Sequence, residues 1–179
     1  MERLSWFINT VDRVSDLAGF LAKWLVLAAC VVSAANATIR YLISYSSNGL
    51  LEIQWYMFGG VVLLGAAQTL RFNEHVRVDL LYASVSHAGR LWIDICGFAV
   101  FMLPAMGYMF CLTWPFFLDS FRLEEVSMNA GGLILWPVKA LLPAGFALLF
   151  LQGLAELAKR VAALSGVADV DTRYETPLQ

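Results

Sequence analysis

The chain has 179 residues, 60% of them hydrophobic and 15% charged, with a formal net charge of −2 and mean hydropathy +0.68. Soluble domains carry roughly 45–50% apolar and about 25% charged residues, and this chain has more apolar surface than a water-soluble fold of its size can hide. The composition therefore points to a membrane protein and excludes a disordered chain, a disulfide scaffold and a basic nucleic-acid binder.

Near the N-terminus, Leu4, Phe7, Ile8, Val11, Val14 and Ala18 recur at helical spacing, with Glu2, Arg3, Asn9, Asp12, Arg13 and Asp16 on the other side. This pattern predicts an amphipathic helix lying in the interface and leading into a first span. Crossing a hydrocarbon core of about 30 Å takes about 20 helical residues, and four runs qualify: 17–43, 50–70, 91–118 and 132–157. The expected fold is an all-α integral membrane domain over 1–164, with four transmembrane helices and a polar, mobile tail over 165–179. Ala35-Asn36-Ala37 resembles a signal-peptide cleavage site, but the long amphipathic lead before it favours an uncleaved anchor.

Within the first span, Ala29, Ser33 and Ala37 repeat every fourth residue, and Asn36 and Arg40 lie close to the same side. Small residues let helices approach closely in lipid, and Asn36 can hydrogen-bond across such a contact. Two readings stay open: packing within the chain's own bundle, or a docking face for another membrane subunit.

Charges sit at span ends, where they can reach headgroups. Glu52 opens the second span and faces Arg40 and Lys139 at matching depth. Lys23, Asp94 and Glu156 share a depth at the opposite side, so both sets are candidate pairs within the bundle or across an interface. Of the twelve Lys and Arg, nine precede or open the first span, lie between spans two and three, or follow the fourth; Arg40, Arg122 and Lys139 are the other three. The positive-inside rule then places both termini in the cytoplasm. Trp6, Trp24 and Trp92 mark the inner ends of spans and Trp55, Trp114 and Trp136 the outer ends, as an aromatic belt does.

The inner loop gathers Arg71, His75, Arg77 and Asp79. The arginines fit an inside anchor; Asp79 suits a helix cap or, with His75, a partner contact. A second short amphipathic helix is expected around Val78, Leu81, Tyr82 and Val85. Catalytic groups are sparse. His75 and His87 are the only histidines and neither lies inside a span, which argues against a b-type haem. No metalloprotease, nucleophile-elbow or phosphate-loop motif is present, so no catalytic, cofactor or metal site is expected. Cys30, Cys96 and Cys111 read as buried small apolar residues. Carboxylates do not cluster near a midplane, as an ion-coupling site would require.

Several stretches together resemble a known family. These are Asn36-Ala37-Thr38-Ile39-Arg40-Tyr41, Gly65-Ala66-Ala67, and the segment from Arg71 through His75-Val76-Arg77-Val78-Asp79-Leu80-Leu81. In order and spacing over roughly residues 17–160, the chain is similar to the small, DctQ-like membrane subunit of tripartite ATP-independent periplasmic (TRAP) transporters. Glu125-Val126-Ser127, Gly131-Gly132-Leu133 and Trp136-Pro137, followed by Lys139, Pro143 and Gly145-Phe146, resemble a branch labelled for mannitol, chloroaromatic or 2-oxo acid uptake. Asn73-Glu74 before His75 depart from the glycine found there in many members.

The resemblance implies a non-enzymatic subunit in the bacterial inner membrane. Its implied partners are the lipid bilayer, a large multi-span membrane subunit driven by a cation gradient, and a periplasmic binding protein that delivers an organic anion; no nucleic acid is implied. Ala29, Ser33, Asn36, Ala37 and Arg40 are then expected at the large-subunit contact, and Arg122, Glu124 and Glu125 at the binding-protein contact. The competing class is a membrane anchor subunit of a redox or hydrolytic enzyme complex.

Overall fold

The computed structural model describes residues 2–45, 47–73 and 85–165. Four helices dominate it: α1 (Glu2–Ile43), α2 (Asn48–Arg71), α3 (His87–Arg122) and α4 (Trp136–Leu164), each long and apolar enough to cross a membrane. The all-α membrane fold with four spans is therefore present. Among the described residues, β pairing is confined to one isolated bridge between Val126 and Ile134.

The expected interfacial helix and the first span form one element. α1 runs unbroken for 42 residues, about 63 Å at 1.5 Å per residue and twice the hydrocarbon thickness. Its sequence contains no proline and a single glycine, Gly19, so nothing breaks the helix where composition changes. Val11, Ser15 and Ala18 of its first half are buried. Asp12, expected on the water-facing side, turns to α4 instead, where its carboxylate meets Lys159 and Gln152.

Ser15, Ala22, Ala29 and Asn36 are buried at seven-residue intervals along α1. That period gives coiled-coil-like packing, and small side chains at the seam let backbones come close. The core is correspondingly lean: Ala18, Ala67 and Leu148 meet, flanked by Leu64 and Leu149. α4 is the hub, packing on α1, α2 and α3, whereas α1 leans mainly on α2. Gly145 makes one close approach possible. A Cβ there would stand 2.7 Å from Leu63 Cβ and 3.1 Å from the Leu63 carbonyl oxygen, so any larger residue pushes α2 and α4 apart.

α3 is capped by Ser86, whose Oγ accepts from the Gly89 N–H at 3.4 Å. It widens into a π-helical stretch over Gly97–Met102 before resuming at Leu103. Pro104 explains the change: it lacks an N–H, and its ring crowds the carbonyl one turn back, which looser winding relieves. The three cysteines are free and exposed on the outside of the bundle, not buried as expected. In a bilayer that outer surface is apolar too, so a small apolar side chain is at home on either side. Trp6, Trp24, Trp55, Trp92 and Trp114 are also exposed, with Trp24 midway along the unbroken α1. His75, Arg77, Asp79, most of the second surface helix and the tail from 166 onward lie outside the described residues.

Candidate functional site: two polar clusters and a divided helix face

At the end of the bundle holding the start of α1, nine polar side chains tie all four helices together. Gln152 is fully buried; its Oε1 accepts from Ser15 Oγ at 2.7 Å, and its Nε2 donates to Asp12 at 3.0 Å and Glu156 at 3.1 Å. Lys159 Nζ donates to both Asp12 oxygens at 3.0 Å and to Glu156 at 2.8 Å. Arg160, 3% exposed, bonds Asp94 of α3 at 2.8 Å and Glu156 at 2.5 Å, with its guanidinium 4.7 Å from the centre of the Phe98 ring. Arg71 closes the cluster from α2 through ion pairs with Asp16 and, at 3.6 Å, Asp12. Four carboxylates thus face three cations with hydroxyl and amide support, the condition under which buried charge is tolerated.

The opposite end is organised by Glu52. Its carboxylate accepts from Ser127 Oγ, from Asn129 Nδ2 at 2.5 Å and from the Leu133 backbone N–H at 2.8 Å. The loop between α3 and α4 is thereby drawn over the start of α2. It closes on itself through Ser127 N–H to the Leu133 carbonyl and Leu135 N–H to the Glu125 carbonyl, both at 2.9 Å. Gly131 takes the left-handed conformation (φ 71°) that the turn needs, and a Cβ on Gly132 would stand 2.5 Å from the Ser127 carbonyl oxygen. Lys139 pairs with Glu125 and lies 4.1 Å over the Phe116 ring. Its ammonium holds the Glu125 carboxyl below the usual carboxylate range.

The family described as tripartite ATP-independent periplasmic transporters, DctQ component, matches residues 29–163. The chain belongs to that family. The C4-dicarboxylate TRAP transporter small permease protein DctQ of Vibrio cholerae serotype O1 is 30% identical over 77 residues. That stretch is 43% of this chain and spans only a third (33%) of the relative's length. No solved structure matches the chain.

The DctQ-matched stretch takes in the last third of α1, all of α2 and α3, and α4 up to its last turn, and begins after Asp12, Ser15 and Asp16. The residues expected at a partner face divide. Ala29 and Asn36 lie in the buried α1 seam, whereas Ser33, Ala37 and Arg40 are exposed beside it. The Asn36 carboxamide oxygen is buried without a hydrogen-bond partner among the described residues. Glu52 bonds the α3–α4 loop rather than Arg40 or Lys139, because Glu125 takes Lys139 and the loop's own donors reach Glu52 first. Asp94 and Glu156 do meet, through Arg160, while Lys23 stays exposed and outside that cluster. Arg122 and Glu124 border an open groove of about 490 Å³ with Phe121, Val126, Ile134 and Trp136, whereas Glu125 pairs with Lys139.

Asp12, Ser15, Gln152, Lys159 and Arg160 did not stand out in the sequence. One signal was present: Gln152, Glu156 and Arg160 are spaced by four, so they form a polar stripe on one face of an otherwise apolar helix.

Proposed function

We propose that this chain is the small permease subunit that braces a large multi-span TRAP membrane subunit, in the bacterial inner membrane with both termini in the cytoplasm. The large subunit then carries an organic anion inward on a cation gradient, after a periplasmic binding protein delivers it. The observation that carries this reading is the DctQ match across residues 29–163. The polar clusters support it: their groups are spent on each other at the two ends of the bundle, which suits a brace.

Ser33, Ala37 and Arg40, with Asn36 behind them, form the surface that meets the large subunit. Arg122 and Glu124 contact the binding protein, while Glu125 keeps their loop in place. The test is cation-driven uptake into vesicles that contain the large subunit and binding protein, with and without this chain. Uptake should collapse without it; equal uptake in its absence overturns the reading.

A further inference from the structure

The outer side of the α1–α2 pair carries an open groove of about 310 Å³, near the end that holds the ionic cluster. Its floor is Gly19 and Ala22 of α1 with Gly65 and Ala66 of α2, residues too small to fill it. Val26 and Val62 form apolar, exposed walls. Such a channel fits a hydrocarbon chain.

One end of the groove is polar. Lys23 lines it, is exposed, and joins no ion pair among the described residues. The neighbouring carboxylates are engaged elsewhere: Asp16 with Arg71, and Asp12 with Lys159. Gln68 reaches the same end of the groove. A Cβ on Gly19 would overlap its side chain, so the missing Cβ is what lets the Gln68 amide lie across α1, one turn from Lys23. Trp24, adjacent to Lys23 in sequence, is exposed and packs edge-on against Phe20 at 6.2 Å between ring centres. An exposed tryptophan beside a lysine near a span end marks headgroup depth, where a lysine snorkels to phosphate.

We infer that this groove binds an anionic phospholipid of the phosphatidylglycerol type, with an acyl chain on the glycine–alanine floor and its phosphate on Lys23 and Gln68. The charge argument favours an anionic lipid over a zwitterionic one. Lys23 brings an exposed cation with no carboxylate of its own to headgroup depth, and a phosphate with no attached amine neutralises it. The site requires only a bilayer and is independent of which subunit the chain braces.

The test is native mass spectrometry of the full chain released from bilayers of equal phosphatidylglycerol and phosphatidylcholine. Phosphatidylglycerol should be retained preferentially, and Lys23→Gln should reduce its retention about fivefold. Lys23→Arg should keep most of it. Ala66→Leu, which leaves the charge and fills the floor, should lose it as well, and serves if Lys23→Gln fails to fold. Equal retention of the two lipids, retention unchanged in both variants, or displacement of the lipid by inorganic phosphate each overturns the assignment.

Discussion

Glu52 holds the α3–α4 loop with one carboxylate that accepts from two side chains and a backbone N–H. A carboxylate only accepts, whereas an amide presents a donor on one side. Glu52→Gln should therefore loosen the loop without disturbing α2, and hydrogen exchange at the Leu133 amide should quicken by roughly an order of magnitude. Unchanged exchange at Leu133 would show that the loop closes without Glu52. Glu125 gives a pH-dependent counterpart. Lys139 depresses its folded value, so its contribution is complete above the ordinary glutamate value of about 4.3 and disappears as pH falls through the depressed one. The difference in thermal midpoint between wild type and Glu125→Gln should be constant near neutrality and vanish in acid. A difference that persists in acid would mean the two side chains matter for packing alone.

Helix by helix, Arg160 is the join that matters most. It is buried between Asp94 and Glu156, and removing it takes away the guanidinium that joins the two carboxylates and leaves Glu156 with Lys159 alone. Arg160→Met should cost about 3–5 kcal/mol, and adding Asp94→Asn and Glu156→Gln should restore much of that, since what costs is the unpaired charge. Thermal unfolding in detergent reads both variants; equal stability of the single and triple variants would refute the account. The sequence showed the four spans because hydropathy and span length are local properties, and it showed their ends because tryptophans and charges gather there. It did not show that α1 is unbroken, because a change from amphipathic to apolar composition looks like a boundary even where no residue stops the helix. Nor did it show which charges pair. Glu52, Lys139, Asp94 and Glu156 were visible as ionisable groups near span ends, but their partners depend on how α4 is rotated and how the outer loop folds back, and both are set by contacts distant in sequence.

For the molecule as a whole, the α1 face is split between the bundle and the open surface. Asn36 is 7% exposed with an orphaned carboxamide oxygen, while Ser33, Ala37 and Arg40 stay open beside it. Asn36→Leu with Arg40→Ala should leave this chain's own stability intact, because replacing an unsatisfied buried polar group with an apolar one costs little. Recovery of the large subunit by co-purification should fall all the same. Undiminished recovery would move the contact to another face, such as the exposed side of α3 around Phe101 and Leu112. The central place of α4 has a consequence for biogenesis. A ribosome delivers α1, α2 and α3 to the bilayer before the helix that touches all three. Until it arrives, Asp94 waits in the nascent chain without Arg160, and Asp12 without Lys159. A polypeptide truncated after α3 should therefore be a natural target for membrane quality-control proteases, and completion of synthesis is itself the step that locks the subunit.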